Sequence, residues 1–140
     1  MRTIKFRAIC AFSGVWRYGF YYVSKGNHII RDENDKESIV LEKTLGQFTG
    51  LHDKNGKEIY DGDILVKSNR IGWDLENFVA HEVFFHDNDM CESSIGFQMN
   101  RHHFQGSICG TNEYYKFIPK NTKQFEVIGN VFENPELVKL

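Results

Sequence analysis

The opening residues alternate apolar and polar side chains. In "TIKFRA" Ile4, Phe6 and Ala8 fall on one face and Thr3, Lys5 and Arg7 on the other, the period of two that marks a strand with one wet side. "VWRYGFYYV" repeats the pattern and puts Trp16, Tyr18, Phe20 and Tyr22 on one face. The intervening Ser13-Gly14 predicts a two-residue hairpin turn. Gly26-Asn27 predicts another reversal, "RDENDKE" (Arg31 to Glu37) a charged loop, and "SIVLE" a return to extended chain. Helical periodicity is absent from this part.

The stretch "TGLHDKNGKEIYDGDIL" from Thr49 to Leu65 concentrates turn chemistry. Asn55-Gly56 is the preferred pair for a type I′ turn, because both central residues need a positive φ that Gly adopts freely and Asn tolerates. The flanking strands are predicted at Gln47 to His52 and Lys57 to Tyr60. Asp61-Gly62-Asp63 gives a second reversal, and Ile64 to Val66 reads as the strand that leaves it. Two bends this close fold a short ribbon sharply over the next, as the corner of a small barrel requires.

Beyond Lys67 a polar loop to Asn77 carries Trp73 as its one large apolar anchor. "FVAHEVFF" follows as a strand, "HDNDMCESS" as a turn and "IGFQM" as a short strand. The glycines of "RHHFQGSICGTNEYY" favour loop, and "QFEVIGNVF" is the last strand. In "NPEL", Asn134 is placed as N-cap and Pro135 at the first helical position of a helix of one or two turns.

The 140 residues suit a single domain. Three cysteines at wide spacings, Cys10, Cys91 and Cys109, argue for reduced thiols and a cytoplasmic location rather than a disulfide framework. Charge is interleaved with apolar residues at the N-terminus, which argues against a signal peptide or membrane span there. A net charge of −2 gives no global attraction for phosphate backbones, so a nucleic-acid role needs a local patch.

Asp61 and Asp63 suggest a metal-binding carboxylate pair, but Asp beside Gly is turn chemistry in which the side chain accepts from backbone N–H groups. His81, His86, Cys91, His102, His103 and Cys109 raise a zinc site; their spacing lacks the paired ligands such sites use. No GxSxG, GxGxxG or GxxxxGK[ST] pattern is present. The expectation is therefore of no catalytic residue, no cofactor and no metal. The row Trp16, Tyr18, Phe20 and Tyr22, with Arg2, Lys5, Arg7 and Arg17 nearby, fits base stacking. Four aromatics on one strand face also make a core, and burial is the expectation here. Any part left open would bind through Arg7, Trp16, Arg17, Tyr18 and Tyr22, with Asn55, Gly56, Asp61, Gly62 and Asp63 as structural turns.

"IKFRA", "TLGQFTGLHDKNGKEIYDGDIL" and "FEVIGNVFENPELV" occur in this order at both ends and the centre of the chain. Together they resemble the YopX family of small phage and prophage proteins. The chain departs from the family in "FRAIC", where an aromatic commonly follows the FRA triplet, and in a longer, His-richer stretch from Lys67 to Lys120. The resemblance implies a phage-encoded, mainly β, cytoplasmic protein of a family without an established function, with no catalytic residues to carry over.

The expected architecture is one mainly β domain: an N-terminal β-hairpin region (1–44), a small partly closed, SH3-like barrel (45–132) and a short C-terminal helix or tail (133–140). The expected function is a non-enzymatic accessory module that binds itself, as a homo-oligomer, or a host or phage protein. The alternative is a nucleic-acid-binding module in phage DNA or RNA metabolism. No membrane partner is expected.

Overall fold

A computed structural model describes residues 3–67, 81–86, 96–101 and 122–137. The protein is mainly β, with ten strands among the described residues, and it divides into two compact units, Met1–Gly50 and Leu51–Leu140. The strands form two antiparallel sheets, and neither closes into a barrel among the described residues.

The first unit is built from β1 (Phe6–Ile9), β2 (Trp16–Ser24), β3 (Asn27–Arg31), β4 (Glu37–Ile39) and most of β5 (Gly46–His52). A 3-10 turn at Glu42–Thr44 leads into β5. The order across the sheet is β4-β3-β2-β1-β5, so β2 is an interior strand. Ala8, Ile30 and Val40 form the core, with Phe6, Tyr21 and Leu45 packed against them.

This register decides which side of β2 faces inward. Phe6 pairs with Gly19, Ala8 with Arg17 and Tyr21 with Ile30, and cross-strand partners share a face. Once Ala8 and Ile30 are inside, alternation turns Tyr21 inward and the row Trp16, Tyr18, Phe20 and Tyr22 outward. The expected burial of that row is therefore overturned: Tyr18 is 45% and Phe20 64% exposed.

Two hairpins differ from expectation in their turns. The β1–β2 connection takes four residues, Ala11 to Gly14, instead of two: Cys10 N–H donates to Val15 O at 2.9 Å and Gly14 N–H to Cys10 O at 3.0 Å. The type I′ geometry belongs to the β2–β3 hairpin, where Ser24 pairs with Asn27 and Lys25 (φ 51°) and Gly26 (φ 78°) occupy the two central positions.

The second unit holds the end of β5, then β6 (Glu58–Tyr60), β7 (Asp63–Lys67), β8 (His81–His86), β9 (Gly96–Arg101) and β10 (Phe125–Asn130). β5 and β6 are neighbours, and the remaining strands form a sheet ordered β10-β7-β8-β9. Its core is Ile59, Leu65, Val83, Phe125 and Val127. A bulge shifts the β10–β7 register between Val127 and Gly129, leaving Ile128 as the extra residue.

The Asn55-Gly56 turn forms, but not as type I′. Gly56 N–H donates to Asp53 O at 3.0 Å, so Lys54 and Asn55 are the central residues, and only Gly56 (φ 80°) is left-handed. This is a type I turn followed by a glycine bulge. The reason is Asp53, whose Oδ1 accepts the N–H groups of Asn55 at 2.8 Å and Lys57 at 2.9 Å and holds both in the tighter arrangement.

The expected C-terminal helix is a single 3-10 turn, Pro135–Leu137. Asn134 does not cap it with its side chain. Its Oδ1 instead accepts Asn130 N–H at 3.3 Å, while Asn130 Oδ1 accepts from Phe132 at 3.0 Å and Glu133 at 2.9 Å. The polar loop with Trp73 beyond Lys67, the start of "FVAHEVFF", most of the "HDNDMCESS" turn and nearly all of "RHHFQGSICGTNEYY" lie outside the described residues.

Candidate binding face and buried carboxylates

Four strands of the first unit contribute to the outward face. Arg7 pairs with Tyr18, Ile9 with Trp16, Phe20 with Arg31, Tyr22 with Ile29, and Arg31 with Glu37. The rings of Phe20 and Tyr22 lie 6.3 Å apart with planes 28° from parallel. Two arginines lie against the outer rings: the Arg7 guanidinium is 4.7 Å from the Trp16 centroid and Arg31 is 5.4 Å from that of Tyr22. Both distances fall within cation–π range. Lys5, five residues into the chain, lies 5.5 Å from the Phe48 ring.

Gly19 fits this arrangement for a steric reason. Any Cβ there would run into the Arg31 carbonyl oxygen, so only glycine lets β3 approach between Tyr18 and Phe20.

At one end of the face Arg31 Nη2 donates to Glu37 Oε1 at 2.7 Å. The Tyr22 hydroxyl, and after it Arg31, hold the Glu37 carboxyl below its usual range. Conversely, Glu37 raises the pKa of the Tyr22 hydroxyl. These groups fix the Tyr22 ring in place.

Of the residues expected to bind, Arg7, Trp16, Tyr18 and Tyr22 share this outward face, although Arg7 is buried beneath Trp16. Arg17 does not join them, since it pairs with Ala8 on the inward side. Instead it lies near the Cys10 thiol. The Ser13 hydroxyl, then the Ser13 and Phe12 N–H groups, and finally Arg17 bring Cys10 down from 9.0 to about 7. Sequence reasoning missed Arg31 and Glu37 as members of the face; they stand at the two ends of a charged loop, where they read as solvent-facing.

The unit also has a distinct charge. Residues 1–50 contain eight Lys and Arg against five Asp and Glu, net +3, whereas residues 51–140 contain nine against fourteen, net −5. The overall −2 conceals this division. Among the described residues, Ile4, Phe12, Val15, Tyr18, Phe20, Val23 and Leu41 are exposed in the first unit and Phe132 in the second.

Of the Asp61 and Asp63 pair that suggested metal chemistry, Asp63 is occupied by the backbone. Asp63 is 1% exposed and its Oδ2 accepts Tyr60 N–H at 2.8 Å, closing the Asp61-Gly62 reversal. Asp53, which sequence reasoning did not single out, is 4% exposed, and its Oδ2 accepts Val127 N–H at 3.0 Å. Among the described residues no group of three or more His, Cys, Asp and Glu could hold a metal ion. Cys91, His102, His103 and Cys109 of the weighed zinc set, and the side chains of His81 and His86, lie outside the described residues. No helix among those residues is long and apolar enough to cross a membrane.

One polar chain in the first unit has the order of a catalytic relay. The Tyr21 hydroxyl lies 2.5 Å from His28 Nδ1, and His28 Nε2 lies 3.2 Å from Glu42 Oε2. Tyr21 packs on the core, its ring parallel to that of His28. The chain ties the 3-10 turn to the β2–β3 hairpin.

Taken together, these features define an antiparallel β protein with one outward-facing aromatic sheet surface. Residues 6–139 match the YopX protein family, and the chain belongs to it. It is also similar to the crystal structure of protein EF1440 from Enterococcus faecalis, at 22% identity and a TM-score of 0.56, over 99% of this chain and 100% of that one. At that identity the likeness speaks for the fold. A comparison with curated proteins gives no match.

Proposed function

We propose that this chain is a non-enzymatic binding module, a phage-type accessory protein of the host cytoplasm, which contacts a macromolecular partner through the outward face of β2. The observation that carries this reading is the exposure of Tyr18 and Phe20 on an interior strand. Large aromatic area left in water is unfavourable and marks contact surfaces. The occupation of Asp53 and Asp63 by backbone N–H groups supports the non-enzymatic part, since neither is available as a base or ligand.

The occupants expected from the sequence were a second copy, a host or phage protein, or nucleic acid. Affinity recovery of the tagged chain from infected cells, with and without nuclease, tests the reading together with the oligomer mass of the pure protein. Wild type should retain a defined component or form a discrete oligomer, and Phe20→Ser should lose it. A Phe20→Ser variant that behaves identically to wild type in both measurements removes the face from function.

A further inference from the structure

We infer that the outward face of β2 binds single-stranded nucleic acid, with bases stacking on Tyr18 and Phe20 and phosphates attracted by Lys5 and Arg31. This rests on the proposal that the face is a contact surface and names its occupant.

Three observations support it. First, the aromatic residues occupy alternate positions of one extended strand, where side chains stand roughly 7 Å apart, about one nucleotide step of an extended strand. Second, the exposed Arg31 guanidinium lies against the Tyr22 ring, and a guanidinium plane extends a stacking platform that bases share with aromatic rings. Third, the net +3 of the first fifty residues complements a polyanion.

The same charge disfavours a symmetric pair of copies. A two-fold contact places each patch against itself, which would bring Arg31 and Lys5 of both copies together, and like charges facing one another cost affinity. An acidic protein would satisfy the charge, but the regular spacing of rings along one strand, roughly 7 Å, matches the repeat of a polynucleotide more closely than the irregular side chains of a protein surface.

Fluorescence anisotropy with a labelled thymidine oligonucleotide of about fifteen nucleotides, the upper end of a single-fold site, tests this. Wild type should bind saturably at low salt, with log affinity falling against log salt at a slope of about −1.4 as Lys5 and Arg31 meet phosphates. Phe20→Ser and Tyr18→Ser should each weaken binding about tenfold, the usual worth of one stacked base. Both side chains are exposed, so both variants should keep the wild-type circular dichroism spectrum. Val23→Ser, exposed one position beyond Tyr22, serves as the control and should bind like wild type.

Absence of saturable binding at low salt overturns the inference, and so does binding indifferent to both ring substitutions. If the oligonucleotide fails while a protein partner or an oligomer is lost on Phe20→Ser, nucleic acid is excluded and the contact surface remains. If neither depends on Phe20, both proposals fall.

Discussion

Asp32 to Lys36 in the first unit and Asp53 to Lys57 in the second build the same turn, from "DENDK" and "DKNGK". In each, the aspartate N–H donates to the lysine carbonyl, at 2.9 and 2.8 Å, and its carbonyl accepts the N–H of the fourth residue at 3.0 Å. In each, Oδ1 accepts the N–H groups of the third and fifth residues at 2.8 to 2.9 Å. The fourth residue is left-handed in both, Asp35 at φ 61° and Gly56 at φ 80°. What differs is the other oxygen. Asp53 Oδ2 accepts from Val127, and Lys54 N–H donates to Phe125 O at 2.9 Å, so this turn covers two backbone groups of β10, a border strand of its sheet. For the Asp32 turn, all four bonds stay within five residues. One local code thus serves once as a loop closure and once as a tertiary clamp, and burial sets how much each contributes.

That contrast is broken most directly at the two aspartates. Asp53→Ala leaves the buried N–H of Val127 and the part-buried N–H groups of Asn55 and Lys57 without their carboxylate and should lower the free energy of unfolding by about 3 kcal/mol, near the upper range for such losses. Urea denaturation reads it as a lower midpoint at an unchanged slope. A loss below about 1 kcal/mol would mean that water replaces the carboxylate as readily as at a surface turn, and the clamp would be no different from the closure. Gly56→Ala comes next, at about 1 to 2 kcal/mol, the cost of holding an L-residue in the left-handed region. Asp32→Ala should cost about 1 kcal/mol, because its N–H groups gain water when the acceptor goes. Equal losses at Asp32 and Asp53 would sink the comparison.

Much of the strand pattern was legible in the sequence, because its cues are local: alternation placed β1 and β2, the turn residues beside them placed β5, β6 and β7, and β10 lies within its expected segment. The turn positions were legible for the same reason, since Gly and Asp mark them. Their types were not. The Asn55-Gly56 pair pointed to type I′, but the aspartate two positions earlier fixes the hydrogen bonds and moves the centre of the turn by one residue. The inward face of β2 was also hidden, because "WRYGFYYV" carries aromatics on both sides. Only pairing with Ala8 and Ile30, from other strands, chooses Tyr21 over the Trp16 row. The role of Asp53 depends on Val127, 74 residues away, which no window of sequence contains. The repeated D-x-N-x-K spacing was the one available signal, and it would have marked both aspartates as turn residues.

The smallest effect sharpens the comparison most, because it acts on the left-handed position, where the two turns carry different residues in the same conformation. Asp35→Gly should stabilise the protein by about 0.5 kcal/mol. Relief of the left-handed penalty is worth about 1 kcal/mol for a side chain that tolerates this region, and the added freedom of glycine in the unfolded chain returns roughly half of it. Asp35 also shares its loop with Asp32, Glu33 and Glu37, so removing its charge adds a screened contribution that vanishes with salt. Measuring the change at low and high ionic strength separates the two: the backbone part survives salt, and the charge part does not. A destabilisation at both would show that the Asp35 side chain makes its own contribution to the turn, so that the first turn is not the second with a costlier residue at its fourth position.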